Sequence, residues 1–152
     1  MKITGFRLGL LSAPLRVPFR TALREVGHVE DIVVELYTSD GAVGRGEAPP
    51  TAAVTGETLG SIQAALAGHI CPALVGREVS DLEELCSVIS GSIVGNTSAK
   101  AAAEIAVWDL YGQACGLPLY KLLGGGRTAL ETDLTISVNH PETMAKDAAH
   151  AV

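Results

Sequence analysis

The chain has 152 residues, of which 47% are hydrophobic and 18% are charged, and its formal net charge is −6 at pH 7. This size and composition are typical of one globular domain with a sizeable core, and they exclude an intrinsically disordered chain. The acidic balance, with lysines and arginines that form no run, argues against nucleic-acid binding, which requires a basic patch.

The first third of the chain predicts three β-strands. Residues 2–11 mix apolar and polar side chains as a strand does. Two prolines follow, so residues 14–27 are interpreted as a loop. Residues 29–37 are rich in Val and Ile, and residues 42–47 form the third strand after the turn sequence at 39–41. A meander of three antiparallel strands is therefore expected.

The periodicity then changes to that of helices. A first helix starts near Thr58, carries apolar residues four positions apart, and is expected to end at Pro72. A second helix opens at Asp81, and a third covers residues 98–114 before Gly116 stops it. Strands followed by helices predict an α+β domain.

The third helix is the strongest prediction because alanine has the highest helix propensity. Thr97 or Ser98 can cap its N-terminus. One face is predicted to carry Ala101, Ile105, Trp108 and Gly112. The many small side chains allow another backbone to approach closely, which indicates either tight packing within the domain or docking against a second, larger domain.

The C-terminal part predicts one further strand and one further helix. Residues 129–138 alternate loosely between apolar and polar, and a helix is expected to start at Pro141. A single β/α unit cannot bury both of its faces, so it needs neighbours that the sequence does not supply. Truncation of a longer protein is the expected explanation.

The cellular compartment is indicated by two features. The apolar stretch at residues 8–14 is too short to be a membrane span, and no signal peptide is recognisable. The cysteines Cys71, Cys86 and Cys115 are odd in number and far apart, so reduced and buried thiols are expected. A cytoplasmic protein without a membrane partner is predicted.

Five motifs carry a resemblance to a known family. Residues 96–109 and 117–126 resemble the N-terminal capping domain of the enolase superfamily, in its muconate-lactonizing and mandelate racemase branch. Pro-Phe-x-Thr-Ala-Leu-Arg at 18–24, Gly-Glu-Ala-Pro-Pro-Thr at 46–51 and Thr-Gly-Glu-Thr at 55–58 make the likeness closest to the dipeptide epimerases that act on L-Ala-D/L-Glu.

The resemblance implies a more specific fold and function. The fold would be α+β, a three-stranded antiparallel meander followed by a helical bundle, with the start of a β/α barrel at the C-terminus. Residues 1–124 would be the capping domain, and residues 125–152 the first β/α unit of a truncated TIM-like barrel. The complete enzyme would be a Mg-dependent epimerase that abstracts a proton from an α-carbon and stabilises the enolate. The cap would supply substrate specificity.

The catalytic groups of that family are not assigned to any residue here. In the family, a K-x-K pair and a third lysine on the barrel act as acid and base, and barrel carboxylates bind Mg. The four lysines of this chain form no K-x-K, and its acidic residues form no corresponding cluster. Mg would therefore be bound by the absent barrel portion. A non-catalytic truncated fragment stays open as an alternative.

Four residues are predicted to contact substrate. Arg24 resembles the arginine of the mobile capping loop that meets the acidic side chain of the dipeptide, and its planar fork suits a carboxylate. Val54 and Thr55 would face the pocket mouth from the second capping loop. Thr135, on the expected barrel strand, would offer a hydroxyl. Glu47 is interpreted as a structural partner of Arg45, another arginine or a backbone amide.

The expected partners are an acidic dipeptide and the remainder of the barrel. Unpaired strand edges also favour a homo-oligomer. Within the same branch, a muconate cycloisomerase or an o-succinylbenzoate synthase-like enzyme is the alternative to the epimerase, because fold analogy alone does not determine the substrate.

Overall fold

The computed structural model describes residues 1–22, 24–126 and 129–152. Three strands come first in the chain: β1 (Ile3–Arg20), β2 (Glu25–Thr38) and β3 (Val43–Ala48). They form one sheet in the order β1-β2-β3, with β2 and β3 antiparallel. The helices follow, which confirms the α+β class: α1 (Leu59–Ala65), a π-helical segment (Leu66–Ile70), α2 (Cys71–Leu74), α3 (Leu82–Gly91), α4 (Thr97–Cys115), α5 (Leu119–Leu122) and α6 (Pro141–Ala151).

The chain forms two compact units. The first comprises Met1–Leu11 and Glu30–Gly125, and the second comprises Ser12–Val29 and Gly126–Val152. Within the described part of the chain, no helix combines the length and the apolar character needed to span a membrane.

Strands β1 and β2 are longer than the sequence predicted. The prediction of a loop over residues 14–27 is wrong, because β1 continues to Arg20 and β2 already starts at Glu25. Strand order supplies the reason. β1 lies at the edge of the sheet, where alternate N–H groups point away from the neighbouring strand, and a proline at such a position removes no bond from the ladder. Pro14 and Pro18 are therefore compatible with this strand.

The core of the first unit lies between the sheet and the helices from α1 to α4. Ile32, Val34 and Leu36 of β2 are buried, and their cross-strand partners on β3 are the small residues Ala48, Gly46 and Gly44. The π-helical segment carries the first helical run past the expected stop. Pro72 lies in the first turn of α2, where its missing N–H costs little. The predicted four-residue spacing is confirmed, since the buried residues of this run include Ile62, Leu66, Ile70 and Leu74.

The face that carries Ala101, Ile105, Trp108 and Gly112 is not the main buried face of helix α4, although Gly112 itself is buried. Ile105 is 49% exposed, whereas the buried residues of the helix are Ala99, Ala102, Ala103, Ala106, Val107, Leu110 and Gly112. The alanines face β3. A Cβ atom added at Gly44 would lie 2.2 Å from the Ala106 carbonyl oxygen. The packing-within-the-domain interpretation of the small residues therefore holds for this face.

The free edge of β3 is also covered by α4. The Arg45 N–H donates to Asp109 Oδ2 at 2.9 Å, and Gln113 Nε2 donates to the Val43 carbonyl oxygen at 3.0 Å. Exposed edge strands can pair with other chains, and side chains that occupy their backbone groups oppose this. The sheet edge is therefore closed by two side chains of α4.

The strand expected over residues 129–138 is not formed: residues 129–137 contain no helix or strand, and a bend follows at Val138. A strand requires backbone partners along its length. The described residues give this segment one such bond, from the Val138 N–H to the Arg20 carbonyl oxygen at 2.9 Å. The predicted helix at Pro141 is confirmed by α6.

Candidate functional site

The tip of the β1–β2 hairpin carries Arg24. The Thr21 N–H donates to the Arg24 carbonyl oxygen at 2.8 Å, and the Arg24 N–H donates to Thr21 Oγ1 at 3.2 Å. These bonds fix the backbone on both sides of the turn. The Arg24 side chain is exposed, and within the described ranges no carboxylate forms an ion pair with its guanidinium. Its charge is therefore available to a ligand.

Arg20 and Glu25 join the two strands at the base of this turn. The Arg20 Nε and Nη2 atoms donate to Glu25 Oε2 at 3.0 and 2.6 Å. The Arg20 backbone contacts the C-terminal part of the same unit, because its N–H donates to Ser137 Oγ at 2.8 Å and its carbonyl accepts from the Val138 N–H at 2.9 Å. A cleft of about 220 Å³ lies here, lined by Val17, Pro18, Arg20, Glu25, Ser137, Val138 and Asn139.

Thr135 lies in the same compact unit as Arg24. It is exposed, and it precedes Ser137 by two positions. The bonds that join their two segments are made by Arg20 with Ser137 and Val138. The structure thus brings together the segments that carry Arg24 and Thr135, through neighbours that the sequence did not single out as a pair.

Val54 and Thr55 belong to the first unit. Both of their N–H groups donate to the Thr51 carbonyl oxygen at 2.8 Å, so they lie on a turn. The Val54 side chain is 79% exposed. The Thr55 hydroxyl donates to the Thr51 carbonyl at 3.3 Å and accepts from the Glu57 N–H at 3.4 Å. Val54 is free to meet a ligand, whereas the Thr55 hydroxyl is already engaged within its own turn.

Glu57, at the end of this turn, has a role that the sequence did not indicate. Its buried carboxylate accepts from the N–H groups of Ser98 and Ala99 at 3.0 and 3.3 Å, and from Thr97 Oγ1 at 3.2 Å. Glu57 therefore caps α4. The predicted local cap by Thr97 or Ser98 is wrong, because Asn96 is the N-cap residue and no side chain caps the helix locally. A carboxylate at a helix N-terminus also interacts favourably with the helix dipole.

The pKa of Glu57 reflects this environment. Desolvation by burial raises it, but the bonds from Ser98, Ala99 and Thr97 together outweigh the desolvation and hold the pKa below its ordinary value of 4.5. The turn at residues 51–57 is thereby tied to the start of α4. The partners are about 40 positions apart, so no local motif could have revealed the contact.

Glu57→Gln is expected to lower the free energy of unfolding by about 1–2 kcal/mol at pH 7, because a neutral amide loses the charge-assisted bonds. The folded-state pKa is lowered, so the stabilisation is complete above pH 4.5 and is lost as the pH falls through the folded-state value. Urea unfolding at pH 7 and pH 3 measures this, and the wild-type advantage should shrink at pH 3. The exposed Glu131→Gln is the control. An advantage that persists at pH 3 would contradict the assignment.

A second charged cluster lies on the sheet around Glu35. Arg7 Nη2 approaches Glu35 Oε2 at 2.8 Å, Arg45 Nε approaches Oε1 at 3.1 Å, and the Tyr37 hydroxyl donates to Oε2 at 2.8 Å. The Tyr37 hydrogen bond is the main reason why the pKa of Glu35 is lowered. Arg45 thus pairs with Glu35 and not with Glu47, so the first of the partners proposed for Glu47 is wrong. The pairing follows from the register, in which Glu35 is directly opposite Arg45.

The described residues provide no metal site, since no group of three or more His, Cys, Asp or Glu side chains among them could hold an ion. The thiols differ from the expectation. Cys71 is buried, and desolvation raises its pKa to about 12, but Cys86 is half-buried and Cys115 is exposed. Cys115 is the last residue of α4, outside the alanine face that packs on the sheet.

Comparison with known proteins places these features in a family. The model of the N-terminal domain of mandelate racemase / muconate lactonizing enzyme matches residues 8–124. The chain is 51% identical over 152 residues to an L-Ala-D/L-Glu epimerase of Clostridium acetobutylicum, and this covers 100% of the chain and 42% of that relative.

Solved structures agree. A substrate-liganded complex of the L-Ala-D/L-Glu epimerase from Bacillus subtilis matches with a TM-score of 0.94 and 47% identity, over 99% of this chain and 42% of that one. A dipeptide epimerase from Cytophaga hutchinsonii, complexed with Mg and the dipeptide D-Ala-L-Val, matches with a TM-score of 0.89 and 31% identity, over 99% and 41%.

The chain spans about 42% of the length of the Clostridium relative. The resemblance predicted from the motifs is confirmed, and so is the meander followed by helices. The chain belongs to the mandelate racemase/muconate lactonizing enzyme family, whose N-terminal domain it contains at residues 8–124.

Proposed function

We propose that this chain is the N-terminal part of a Mg-dependent dipeptide epimerase of the L-Ala-D/L-Glu type. Residues 1–124 would form the capping domain and residues 125–152 the first β/α unit of the barrel. The observation that carries the proposal is the exposed Arg24 guanidinium at the hairpin tip, in a chain 51% identical to an L-Ala-D/L-Glu epimerase.

The cap residues would select the substrate. A free guanidinium can bind the side-chain carboxylate of the dipeptide with two parallel hydrogen bonds. Val54, at 79% exposure, would limit the width of the pocket mouth, and Thr55 would shape its turn. The Thr135 hydroxyl would donate to or accept from a polar group of the dipeptide.

The described residues of this chain do not fit a Mg site. The Clostridium relative is more than twice as long as this chain. We therefore assign Mg binding and the acid/base groups to the part of the enzyme that this chain does not cover.

The test uses the full-length protein with L-Ala-L-Glu in D₂O and Mg²⁺. Inversion through proton abstraction predicts deuterium at the Glu α-carbon, a mass increase of about one unit, and formation of L-Ala-D-Glu. Mass spectrometry and chiral chromatography measure both. EDTA should abolish the exchange. Absence of exchange, or turnover of a muconate in place of the dipeptide, would overturn the proposal.

A further inference from the structure

We propose that Ser137 is a positioning residue for substrate selection, which holds Arg20 and through it the turn that presents Arg24. The inference rests on the proposed function, in which Arg24 binds the acidic side chain. It adds a residue from the C-terminal segment to the specificity determinant of the hairpin.

Ser137 and Val138 contact the backbone of Arg20. Ser137 Oγ accepts from the Arg20 N–H at 2.8 Å and donates to the Arg20 carbonyl oxygen at 3.4 Å, while the adjacent Val138 N–H donates to that carbonyl at 2.9 Å. Both backbone groups of Arg20 are therefore held by two consecutive residues. Arg20 is the last residue of β1, so this contact fixes where the strand ends and the turn starts.

Hydrogen bonds made by Arg20 and Thr21 link the end of β1 to Arg24. The Nε and Nη2 atoms of Arg20 donate to Oε2 of Glu25. Glu25 directly follows Arg24 in the chain. Thr21, which directly follows Arg20, exchanges hydrogen bonds with the Arg24 backbone. Hydrogen bonds thus join the two ends of the turn, and Ser137 holds Arg20 at the first of these ends.

These contacts are expected to affect the arrangement of the turn more than the stability of the fold. The Ser137 bond and the Arg20–Glu25 pair are both exposed, and exposed contacts contribute little to global stability. Their consequence is local. Suppose a ligand binds only one arrangement of the turn. Its apparent affinity then falls in proportion to the fraction of molecules that hold that arrangement. Loss of one such bond should therefore affect KM for a substrate that uses Arg24 and leave the overall fold intact.

Kinetics of the full-length Ser137→Ala variant test this. We expect KM for L-Ala-L-Glu to rise about 3- to 10-fold, because the hydroxyl's short hydrogen bond from the Arg20 N–H and its longer one to the Arg20 carbonyl are lost, with a much smaller change in kcat. KM for L-Ala-L-Ala, which has no side-chain carboxylate, should change less than about twofold. Ser137→Thr retains the hydroxyl and should restore the wild-type KM. Equal losses on both dipeptides, or failure of the threonine to rescue, would overturn the proposal.

A control and a second readout separate this from a structural effect. Thr132→Ala removes an exposed hydroxyl of the same segment, whose hydrogen bond goes to the neighbouring Asp133 carbonyl oxygen, and should leave both KM values unchanged. Amide hydrogen exchange should be faster at Arg20 in Ser137→Ala and unchanged in Thr132→Ala. Unchanged exchange at Arg20 would count against the contact.

A double-mutant cycle with Arg24→Ala distinguishes failure of the Ser137 proposal from failure of the proposed function. If Ser137 acts through Arg24, then Ser137→Ala adds almost nothing in the Arg24→Ala background. Additive effects overturn the positioning role and leave the proposed function standing. An Arg24→Ala variant that does not discriminate between the dipeptides overturns the selection by Arg24, and the Ser137 inference falls with it.

Discussion

Gly46→Ala is expected to lower the free energy of unfolding by about 3 kcal/mol, near the upper end for overpacking of a core. A Cβ atom at this position would lie 2.0 Å from the Ala102 carbonyl oxygen and 3.1 Å from the Ala106 nitrogen. Both are backbone atoms of α4, so no side-chain rotation can relieve the clash. Either the helix moves away from β3 or the strand bends.

Gly5→Ala is the matched control for this prediction. Gly5 also lies in the sheet, on β1, but an added Cβ would meet nothing within 4 Å. Its effect should stay within about 0.5 kcal/mol, and the smaller entropy of the unfolded chain works in its favour. Urea unfolding followed by circular dichroism compares the two variants. Equal midpoints would show that α4 is not held against β3 as closely as the structure indicates.

The same contact explains which face of α4 is buried. Ile105 and Trp108 are large apolar residues of the helix, and residues of this kind are often buried. The structure instead buries Ala102 and Ala106 at the contact with β3, because Gly44 and Gly46 carry no Cβ atom and so let the α4 backbone lie against the strand. Two glycines more than 50 positions away decided the outcome, and helical periodicity contains no information about them.

Features determined by short stretches were predictable. The turn at Asp40-Gly41 needs a residue that accepts a positive φ, and Gly41 has φ = 87°. Gly116, with φ = 64°, ends α4 for the same reason. The end of β1 was not predictable, because proline stops a central strand but not an edge strand, and strand order becomes known only in the folded sheet.

The candidate site divides in the same way. Arg24 could be proposed from the motif at residues 18–24, because the motif is contiguous. The bond between Arg20 and Ser137 spans 117 positions, and the Glu57 cap of α4 spans about 40. Contacts of this kind depend on how elements pack, which the sequence of either partner does not specify.

Arg24→Ala in the full-length enzyme is expected to lower kcat/KM for L-Ala-L-Glu about 10- to 100-fold, which is the usual effect of losing charge-assisted hydrogen bonds to a carboxylate. The loss should appear mainly in KM, because the side-chain carboxylate is remote from the reacting α-carbon and is bound equally in the ground and transition states. For L-Ala-L-Ala the change should be less than about threefold. Steady-state kinetics with both dipeptides measure the difference.

Arg24→Lys tests whether the fork or only the charge matters. Lysine keeps the positive charge but presents a single point of contact, so it should recover part of the affinity for L-Ala-L-Glu and not all of it. Ionic strength gives an independent check. Arg24 is exposed, so salt should screen its attraction for the dipeptide and raise KM in the wild type, with a smaller rise in Arg24→Ala. Equal losses on the acidic and the neutral dipeptide, with the same salt dependence in both proteins, would mean that Arg24 supports the hairpin without reading the substrate.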